Sequence, residues 1–212
     1  MSGQQTKAGA PPAGEHYAGG AVDDIMVVGV GGQGVIVAAA VIADTAMLHG
    51  GLEVKLSETR GMSQRGGSVS SHIRIGETVV APSISPGEVD YLLAFEAAEG
   101  LRVAPSLMPD GVAIVNTQQI VPPLASTGIA YPFDAIERIA AGGRDVTVVD
   151  GNAVAEKIGD VKVAGIVLVG ALSVHLPFAE DTWRQALTRN VPPKWLEMNL
   201  AAFAAGREVG ER

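Results

Sequence analysis

The chain has 212 residues and a formal net charge of −8, and 47% of its residues are hydrophobic while only 4% are aromatic. This length fits one domain that removes about 70% of its unfolded surface from water. A core of Val, Ile, Ala and Leu is typical of strands covered on both faces by helices, so the composition favours an α/β fold.

The chain contains no cysteine. This excludes disulfides, thiolate-ligated iron–sulfur clusters, cysteine zinc sites and a cysteine nucleophile on this chain. The four histidines at positions 16, 49, 72 and 175 are far apart in sequence, so no metal site is predicted. The apolar runs are shorter than the roughly 20 residues that cross a bilayer, and we expect a soluble, cytoplasmic protein with no membrane contact.

The first predicted segment is a disordered tail over residues 1–22, which are rich in Gly, Ala and Pro and lack apolar periodicity. One domain is expected over residues 23–212. Residues 25–30 (IMVVGV) predict a buried strand, residues 31–34 (GGQG) a turn, and residues 35–50 an apolar helix.

A second strand is predicted over residues 52–58, and the alternation in residues 68–82 indicates a hairpin around Gly76 and Glu77. Short apolar strands are predicted at residues 90–95, 111–117 and 145–150, and a closely packed helix at residues 161–174. The pattern predicts a three-layer α/β/α fold with a mixed, mostly parallel sheet and a Rossmann-like glycine turn after strand one.

The glycine turn matches the fingerprint G-x-G-x-x-G, in which glycines allow a tight turn and helix amides face an anion. Glu58, at the end of the second strand, lies in sequence where a ribose-binding acid is found. The same pattern is also typical of a strand-to-helix connection without a ligand. The candidate cofactor-binding residues of this turn are Gly29, Gly31, Gly32, Gln33 and Gly34.

A basic, glycine-rich loop follows the second strand within the sequence SETRGMSQRGGS. Arginine forks and glycine amides suit phosphate or carboxylate, and in a parallel sheet this loop would share the carboxyl edge with the glycine turn. The alternative is a solvated loop whose arginines pair with nearby glutamates. The acidic chain and the lack of aromatic residues in the loop argue against nucleic acid. The candidate ligand-binding residues of this loop are Arg60, Gln64, Arg65, Gly66, Gly67 and Ser68.

Five segments resemble one enzyme family in order and spacing. They are VVGVGGQGVIVAAAVIADTA, KLSETRGMSQRGGSVSSHIRIGE, VDYLLAFEAAEGLR, VNTQQIVPP and VPPKWLEMNLAAFAAGRE. This set resembles the gamma domain of the 2-oxoacid:acceptor oxidoreductases, in the form found in the beta subunit of indolepyruvate:ferredoxin oxidoreductases. The resemblance runs from about residue 24 to residue 208, which is nearly the whole expected domain.

The resemblance implies a complex that decarboxylates an arylpyruvate on thiamine diphosphate, passes the acyl group to coenzyme A (CoA), and sends electrons through iron–sulfur clusters to ferredoxin. It implies a hetero-oligomer in which a large alpha subunit holds thiamine diphosphate, Mg and 4Fe-4S clusters. This chain would carry no cofactor or activity alone, and would help to cover the active site and to hold CoA. In agreement, the chain has no cysteine and no NN, and VVDGN lacks the first glycine of the thiamine motif GDG.

Two other functions remain open from the residues alone: a stand-alone dinucleotide-dependent oxidoreductase in which Glu58 binds ribose, and a module that senses a CoA ester. One departure from the family is Ala164-Gly165, where related chains often have asparagine.

Several polar residues have a mainly structural interpretation. Glu96 and Glu99 are expected to favour a helix N-terminus, Asp150-Gly151-Asn152 a turn and cap, and His72 a hydrogen bond on its strand. For the tryptophans, packing is favoured for Trp183 and partner contact for Trp195.

Overall fold

The structure is a computed structural model that describes residues 16–61, 67–121 and 130–212. Within these ranges the chain forms one sheet of six strands. The strands are β1 (Val22–Val30), β2 (Glu53–Arg60), β3 (Ser68–Gly76), β4 (Val89–Ala94), β5 (Leu107–Asn116) and β6 (Asp145–Val149). Their order in the sheet is β2-β3-β1-β4-β5-β6.

Seven α-helices lie within the same described ranges. They are α1 (Val35–His49), α2 (Ala97–Val103), α3 (Ala135–Ala141), α4 (Gly151–Ile158), α5 (Ala164–Ser173), α6 (Glu180–Asn190) and α7 (Leu196–Gly210). Short 3-10 turns at Ala104–Ser106, Val161–Val163 and Pro193–Trp195 precede β5, α5 and α7.

The sheet is mixed because β3 runs antiparallel to both of its neighbours, β1 and β2. β1, β4, β5 and β6 are parallel. The predicted mixed, mostly parallel sheet is therefore confirmed.

The predicted hairpin around Gly76 and Glu77 is wrong. β3 ends at Gly76, and its hairpin partner is β2, so the basic loop itself is the hairpin connection. Residues 77–88 contain Pro82 and Pro86, which lack the N–H that a sheet ladder needs. The backbone there instead supplies carbonyls to Arg74, at Ala81 and Ser83.

Helices cover both faces of the sheet, which gives the expected three layers. One face packs against α1, α4, α5, α6 and α7 through a cluster that includes Ile25, Ile73 and Leu93. The other face packs against α2 and α3 through a smaller cluster that includes Met26, Leu92 and Ile139. The central strand β1 and the second half of β5 are thus buried on both sides, as their composition indicated, whereas the edge strand β6 is partly exposed.

The N-terminal boundary of the domain lies earlier than the sequence indicated. Tyr17 is 1% exposed and donates its hydroxyl to Asp23 Oδ2 at 2.5 Å. Its ring stacks on Phe178 with centroids 6.2 Å apart. The expected tail over residues 1–22 is therefore wrong for residues 16–22, because Tyr17 has a place in the core. Residues 1–15 lie outside the described residues.

Among the described residues, no helix combines the length and the apolar character that crossing a membrane requires.

Candidate functional site

A cavity of about 370 Å³ opens at the carboxyl edge of the sheet. The turn after β1 forms one wall, and the ends of β4 and β5 and the start of α5 form the others. The helix after β1 and the helix after β4 lie on opposite faces of the sheet. The cavity therefore lies at the topological switch point, between the neighbouring strands β1 and β4. Ligands of open α/β sheets bind at this position. The lining residues are Gly32, Gln33, Gly34, Phe95, Asn116, Gln118, Asn152, Val161, Lys162, Ala164, Gly165 and Leu168.

The glycines of the turn have separate physical roles. Gly32 and Gly34 have φ values of +101° and +88°, which L side chains rarely adopt. Gly29 allows close approach, because an added Cβ would lie 2.7 Å from Gln33 Oε1 and 2.9 Å from Phe95 Cβ. Of the predicted turn residues, Gly32, Gln33 and Gly34 line the cavity. Gly29 does not line it but packs against the lining residues Gln33 and Phe95.

Gln33 connects the turn to the neighbouring strands through its side chain. Its Oε1 accepts the Val30 N–H at 2.6 Å, and its Nε2 donates to the Phe95 carbonyl at 3.0 Å and to Gln118 Oε1 at 2.8 Å. The side chain therefore holds the ends of β1 and β4 and the segment after β5 together. The structure thus gives Gln33 a positioning role, and its predicted part in binding a cofactor stays a prediction.

Asn116, at the end of β5, makes the equivalent connection on the other side of the cavity. The side chain is 1% exposed. Its Oδ1 accepts the Gly151 N–H at 3.0 Å, and its Nδ2 donates to the Phe95 carbonyl and to Asn152 Oδ1, both at 3.1 Å. The cavity floor is thus built from carboxamides joined by hydrogen bonds.

The basic loop meets the glycine turn at the same edge, as expected. The Gly31 N–H donates to the Gly67 carbonyl at 2.9 Å, and the Gly61 N–H closes the loop onto the Ser68 carbonyl at 2.8 Å. β1 and β2 point the same way because the antiparallel β3 lies between them. Gln64, Arg65 and Gly66, three of the predicted loop residues, lie outside the described residues.

The loop residues that the structure describes are engaged with neighbouring charges. Arg60 pairs with Glu58 at 3.1 Å, and 64% of its side chain is exposed. Ser68 donates its hydroxyl to Glu99 Oε2 at 2.6 Å and accepts from Arg102 at 2.9 Å. Arg102 also contacts Glu99 at 2.8 Å. These contacts fix the end of the loop at α2 rather than leaving Ser68 open to an anion.

The position of Glu58 argues against the dinucleotide alternative. β3 separates β2 from β1, and neighbouring strands lie about 4.8 Å apart, so Glu58 is roughly 10 Å from β1. Glu58 pairs with Ser71, which in turn pairs with Val27, three residues before β1 ends. A ribose-binding acid belongs to the strand beside β1, close to the turn.

A family model described as pyruvate ferredoxin/flavodoxin oxidoreductase matches residues 24–209. The chain belongs to this family. Indolepyruvate oxidoreductase subunit IorB of Archaeoglobus fulgidus is 40% identical over 190 residues, which cover 86% of this chain and 92% of that one. The corresponding subunit of Thermococcus kodakarensis is 35% identical, with 86% and 93% covered. The resemblance seen in the motifs is confirmed, and the chain is a gamma-type oxidoreductase subunit.

Solved structures of the family share the fold. The gamma subunit of a keto/oxoacid ferredoxin oxidoreductase from Geobacter sulfurreducens has a TM-score of 0.68 at 25% identity, and 89% of this chain and 98% of that chain are covered. The pyruvate oxidoreductase subunit PORC of Thermotoga maritima has a TM-score of 0.67 at 19% identity, with 88% and 96% covered. The three-layer architecture of this oxidoreductase subunit is therefore that of its family.

Glu96 has the expected role at a helix N-terminus in this oxidoreductase subunit. It is 1% exposed and caps α2 by accepting the Glu99 N–H at 2.8 Å. Its other oxygen accepts the Ile120 N–H at 3.0 Å and the hydroxyl of Tyr131. Burial, with these contacts to Glu96, raises the pKa of the Tyr131 phenol.

The other structural interpretations also agree with the structure. Asp150 caps α4 by accepting the Ala153 N–H at 3.0 Å. His72 Nδ1 accepts the Ile84 N–H at 3.3 Å, and burial lowers the pKa of this imidazole. Trp183 is fully buried, whereas Trp195 is 38% exposed, and its contact with a partner stays a prediction.

Gly165 shapes the cavity through Phe95. A Cβ at Gly165 would lie 2.6 Å from Phe95 Cε2, so a larger side chain would require the ring to move. In this chain the Phe95 ring occupies that space.

Sequence reasoning did not predict four polar residues as part of the site lining: Asn116, Gln118, Asn152 and Lys162. Asn116 ends β5, Gln118 follows β5 and Asn152 follows β6, so their position at the ends of apolar strands was the available signal. Lys162 follows Asp160, which accepts the Lys162 N–H at 2.9 Å. The Lys162 side chain is 82% exposed and is the cation among the lining residues.

Proposed function

We propose that this chain is the small subunit of a 2-oxoacid:ferredoxin oxidoreductase that acts on indolepyruvate or related arylpyruvates, and that its cavity binds part of CoA. The similarity to the two archaeal indolepyruvate oxidoreductase subunits supports the substrate class. The observation that carries the CoA assignment is the cavity at the carboxyl edge, which combines a glycine turn, carboxamides and Lys162.

Three further features support CoA as the ligand. The first turn of α1 has no side-chain cap and no acidic residue, so its amides suit a phosphate oxygen. A 2-oxoglutarate:ferredoxin oxidoreductase from Magnetococcus marinus, which shares the fold at 20% identity and a TM-score of 0.68, is described with CoA bound. In that match 89% of this chain and 31% of that one are covered. The cavity volume of about 370 Å³ suits part of such a ligand.

The partner in this proposal is a large alpha subunit that holds thiamine diphosphate, Mg and the 4Fe-4S clusters and that transfers electrons to ferredoxin in the cytoplasm. Thiamine diphosphate supplies the carbanion stabilisation that decarboxylation needs. The cysteine-free sequence of this chain provides no thiolate for a cluster. The role of this chain is to position CoA and to cover the site that the partner holds.

The test is reconstitution of this chain with its cognate large subunit. We expect the isolated chain to be inactive, and the complex to reduce a low-potential acceptor in the presence of indolepyruvate and CoA. Arg65→Ala should raise the KM for CoA about 10- to 150-fold, which corresponds to one charge-assisted hydrogen bond. The KM for indolepyruvate should stay unchanged.

Arg65→Lys is the matched variant, because an ammonium keeps the charge but loses the planar fork. It should restore part of the CoA affinity. Nicotinamide-dependent turnover by the isolated chain would reject this proposal in favour of a stand-alone dehydrogenase. An unchanged CoA response with failed assembly would instead make the loop a subunit contact.

A further inference from the structure

Two carboxamides at the cavity wall have their oxygen atoms already occupied. Gln118 Oε1 accepts from Gln33 Nε2 at 2.8 Å, and Asn152 Oδ1 accepts from Asn116 Nδ2 at 3.1 Å. An amide oxygen accepts and an amide NH2 donates, so the hydrogen-bond network determines which end of each side chain faces the cavity.

Backbone N–H groups fix the direction of both hydrogen-bonded chains. Val30 N–H donates to Gln33 Oε1 at 2.6 Å, and Gly151 N–H donates to Asn116 Oδ1 at 3.0 Å. A backbone N–H only donates, so these two side chains must present oxygen there and NH2 at the opposite end.

Both NH2 groups then meet at one carbonyl. Gln33 Nε2 and Asn116 Nδ2 donate to the Phe95 oxygen at 3.0 and 3.1 Å, which uses both of its lone pairs. The second N–H of each donates outward to Gln118 or Asn152. One chain of hydrogen bonds starts at the Val30 N–H and the other at the Gly151 N–H. Both place an amide oxygen of Gln118 or Asn152 toward the protein, and so the NH2 group toward the cavity.

We propose that Gln118 Nε2 and Asn152 Nδ2 form a donor pair of fixed polarity that binds oxygen acceptors of CoA in this cavity. The proposal rests on the proposed function and names the residues that select the ligand. In the part of the chain that the structure describes, neither NH2 group has an acceptor, and both side chains line the cavity half-buried. A ligand that turned N–H donors toward them would leave donor facing donor, which disfavours binding.

The acceptors are phosphoryl oxygens or amide carbonyl oxygens, since CoA carries both. Two fragments separate these sources: adenosine 3′,5′-bisphosphate supplies phosphoryl oxygens, and pantetheine supplies amide carbonyls. The fragment whose affinity falls in the variants identifies the oxygen that the donor pair binds.

The test replaces each NH2 donor by a carboxylate oxygen of similar shape, through Asn152→Asp and Gln118→Glu. Both variants are made in the full chain assembled with its large subunit. Titration calorimetry with CoA should show about 20-fold weaker binding or more, because a carboxylate then faces an oxygen acceptor. Asn152→Ala removes one neutral hydrogen bond to the ligand, together with the acceptor of Asn116 Nδ2. It introduces no repelling charge and should weaken CoA binding about 2- to 12-fold.

Gln119→Glu is the matched control. Gln119 is the next residue after Gln118, it is exposed, and its Nε2 donates to the Phe133 carbonyl at 3.2 Å, outside the cavity lining. The same charge change there should alter CoA affinity less than twofold.

Gln33→Glu tests the chain of hydrogen bonds from the Val30 N–H through Gln33 to Gln118. A carboxylate still accepts the Val30 N–H but has no N–H for the Phe95 carbonyl or for Gln118 Oε1. We expect weaker CoA binding than in the wild type, and the double variant with Gln118→Glu should lose less than the product of the two single effects.

A second measurement does not require a variant to fold. In the 15N-labelled wild-type chain, the side-chain NH2 resonances of Gln118 and Asn152 should shift on addition of CoA, and that of Gln119 should not. CoA binding to the wild type with no such shifts, and with both reversals within twofold, overturns the donor pair and leaves the proposed function standing. Failure of the wild-type complex to bind CoA rejects the proposed function itself.

Discussion

Gly29→Ala is the substitution that most directly tests how the glycine turn supports the cavity. The added methyl group would lie 2.7 Å from Gln33 Oε1, 2.9 Å from Phe95 Cβ and 2.9 Å from Val35 Cγ2. None of these atoms is the free end of a surface side chain, because Gln33 is hydrogen-bonded and the other two belong to buried residues. We expect Gln33 to move away from Val30.

The cost follows from two terms. Overpacking a filled interior costs about 1 to 3 kcal/mol. Losing the Val30–Gln33 hydrogen bond adds about 0.5 to 1.5 kcal/mol. A total of about 1.5 to 4.5 kcal/mol corresponds to a fall in Tm of roughly 3 to 18 °C for a chain of this length.

The assay is urea denaturation of the variant beside Val37→Ala, whose side chain lies in the first turn of α1 and is 41% exposed. The control should change the free energy of unfolding by less than about 0.5 kcal/mol. CoA affinity of the reconstituted Gly29→Ala complex should fall together with stability, since Gln33 orients Gln118. A variant as stable as the control, with normal CoA affinity, would refute the close-approach role of Gly29.

Two further predictions concern the opposite edge of the sheet. Deleting residues 1–15 should leave Tm unchanged, as their composition indicates. Deleting residues 1–20 also removes Tyr17, which should lower the free energy of unfolding by about 3 to 5 kcal/mol and Tm by roughly 6 to 20 °C. Equal melting of the two truncations would show that Tyr17 adds nothing. Burial, with the nearby Asp23 and Asp24 carboxylates, raises the pKa of Asp90 to about 6, so its charged form destabilises the fold as pH rises from about 4 to 6. Asp90→Asn keeps an acceptor for the Asp24 N–H. After allowance for solvent screening, the variant should be about 1 to 1.5 kcal/mol more stable than the wild type at pH 7.5 and no more stable at pH 4. Urea denaturation at both pH values measures this difference, and a gain in stability that persists at pH 4 would contradict it.

The glycine turn and the strands were predictable because their signals are local. A buried strand, glycines at φ > 0 and an apolar helix follow one another within residues 22–49. The hairpin was misplaced for the same reason, because apolar alternation in residues 68–82 says nothing about which strand pairs with it. Only the register shows that β3 lies between β1 and β2.

The carboxamides of the cavity were beyond a reading of local patterns. Gln33, Asn116 and Asn152 are spread over three connections, and their polarity depends on backbone N–H groups at Val30 and Gly151. No spacing in the sequence encodes such contacts. The rule that ligands bind beyond the carboxyl ends of strands would have selected Asn116 and Asn152, since one ends β5 and the other follows β6.

The order of the strands also explains why a dinucleotide-type fingerprint need not give a dinucleotide site. Insertion of β3 beside β1 moves Glu58 away from the turn and brings the basic loop against it. The Gly31 N–H donates to the carbonyl of Gly67 at the end of the loop, and the Gln33 N–H donates to the Val30 carbonyl. Two of the amides that could cradle a pyrophosphate are therefore already engaged. In the proposed CoA site, the donors of Gln118 and Asn152 supply polar contacts that these two amides do not. Gln33 and Asn116, both bonded to the Phe95 carbonyl, hold these two side chains in place. We therefore expect the Asn152→Asp and Gln118→Glu reversals to weaken CoA binding more than the same charge change at the exposed Gln119.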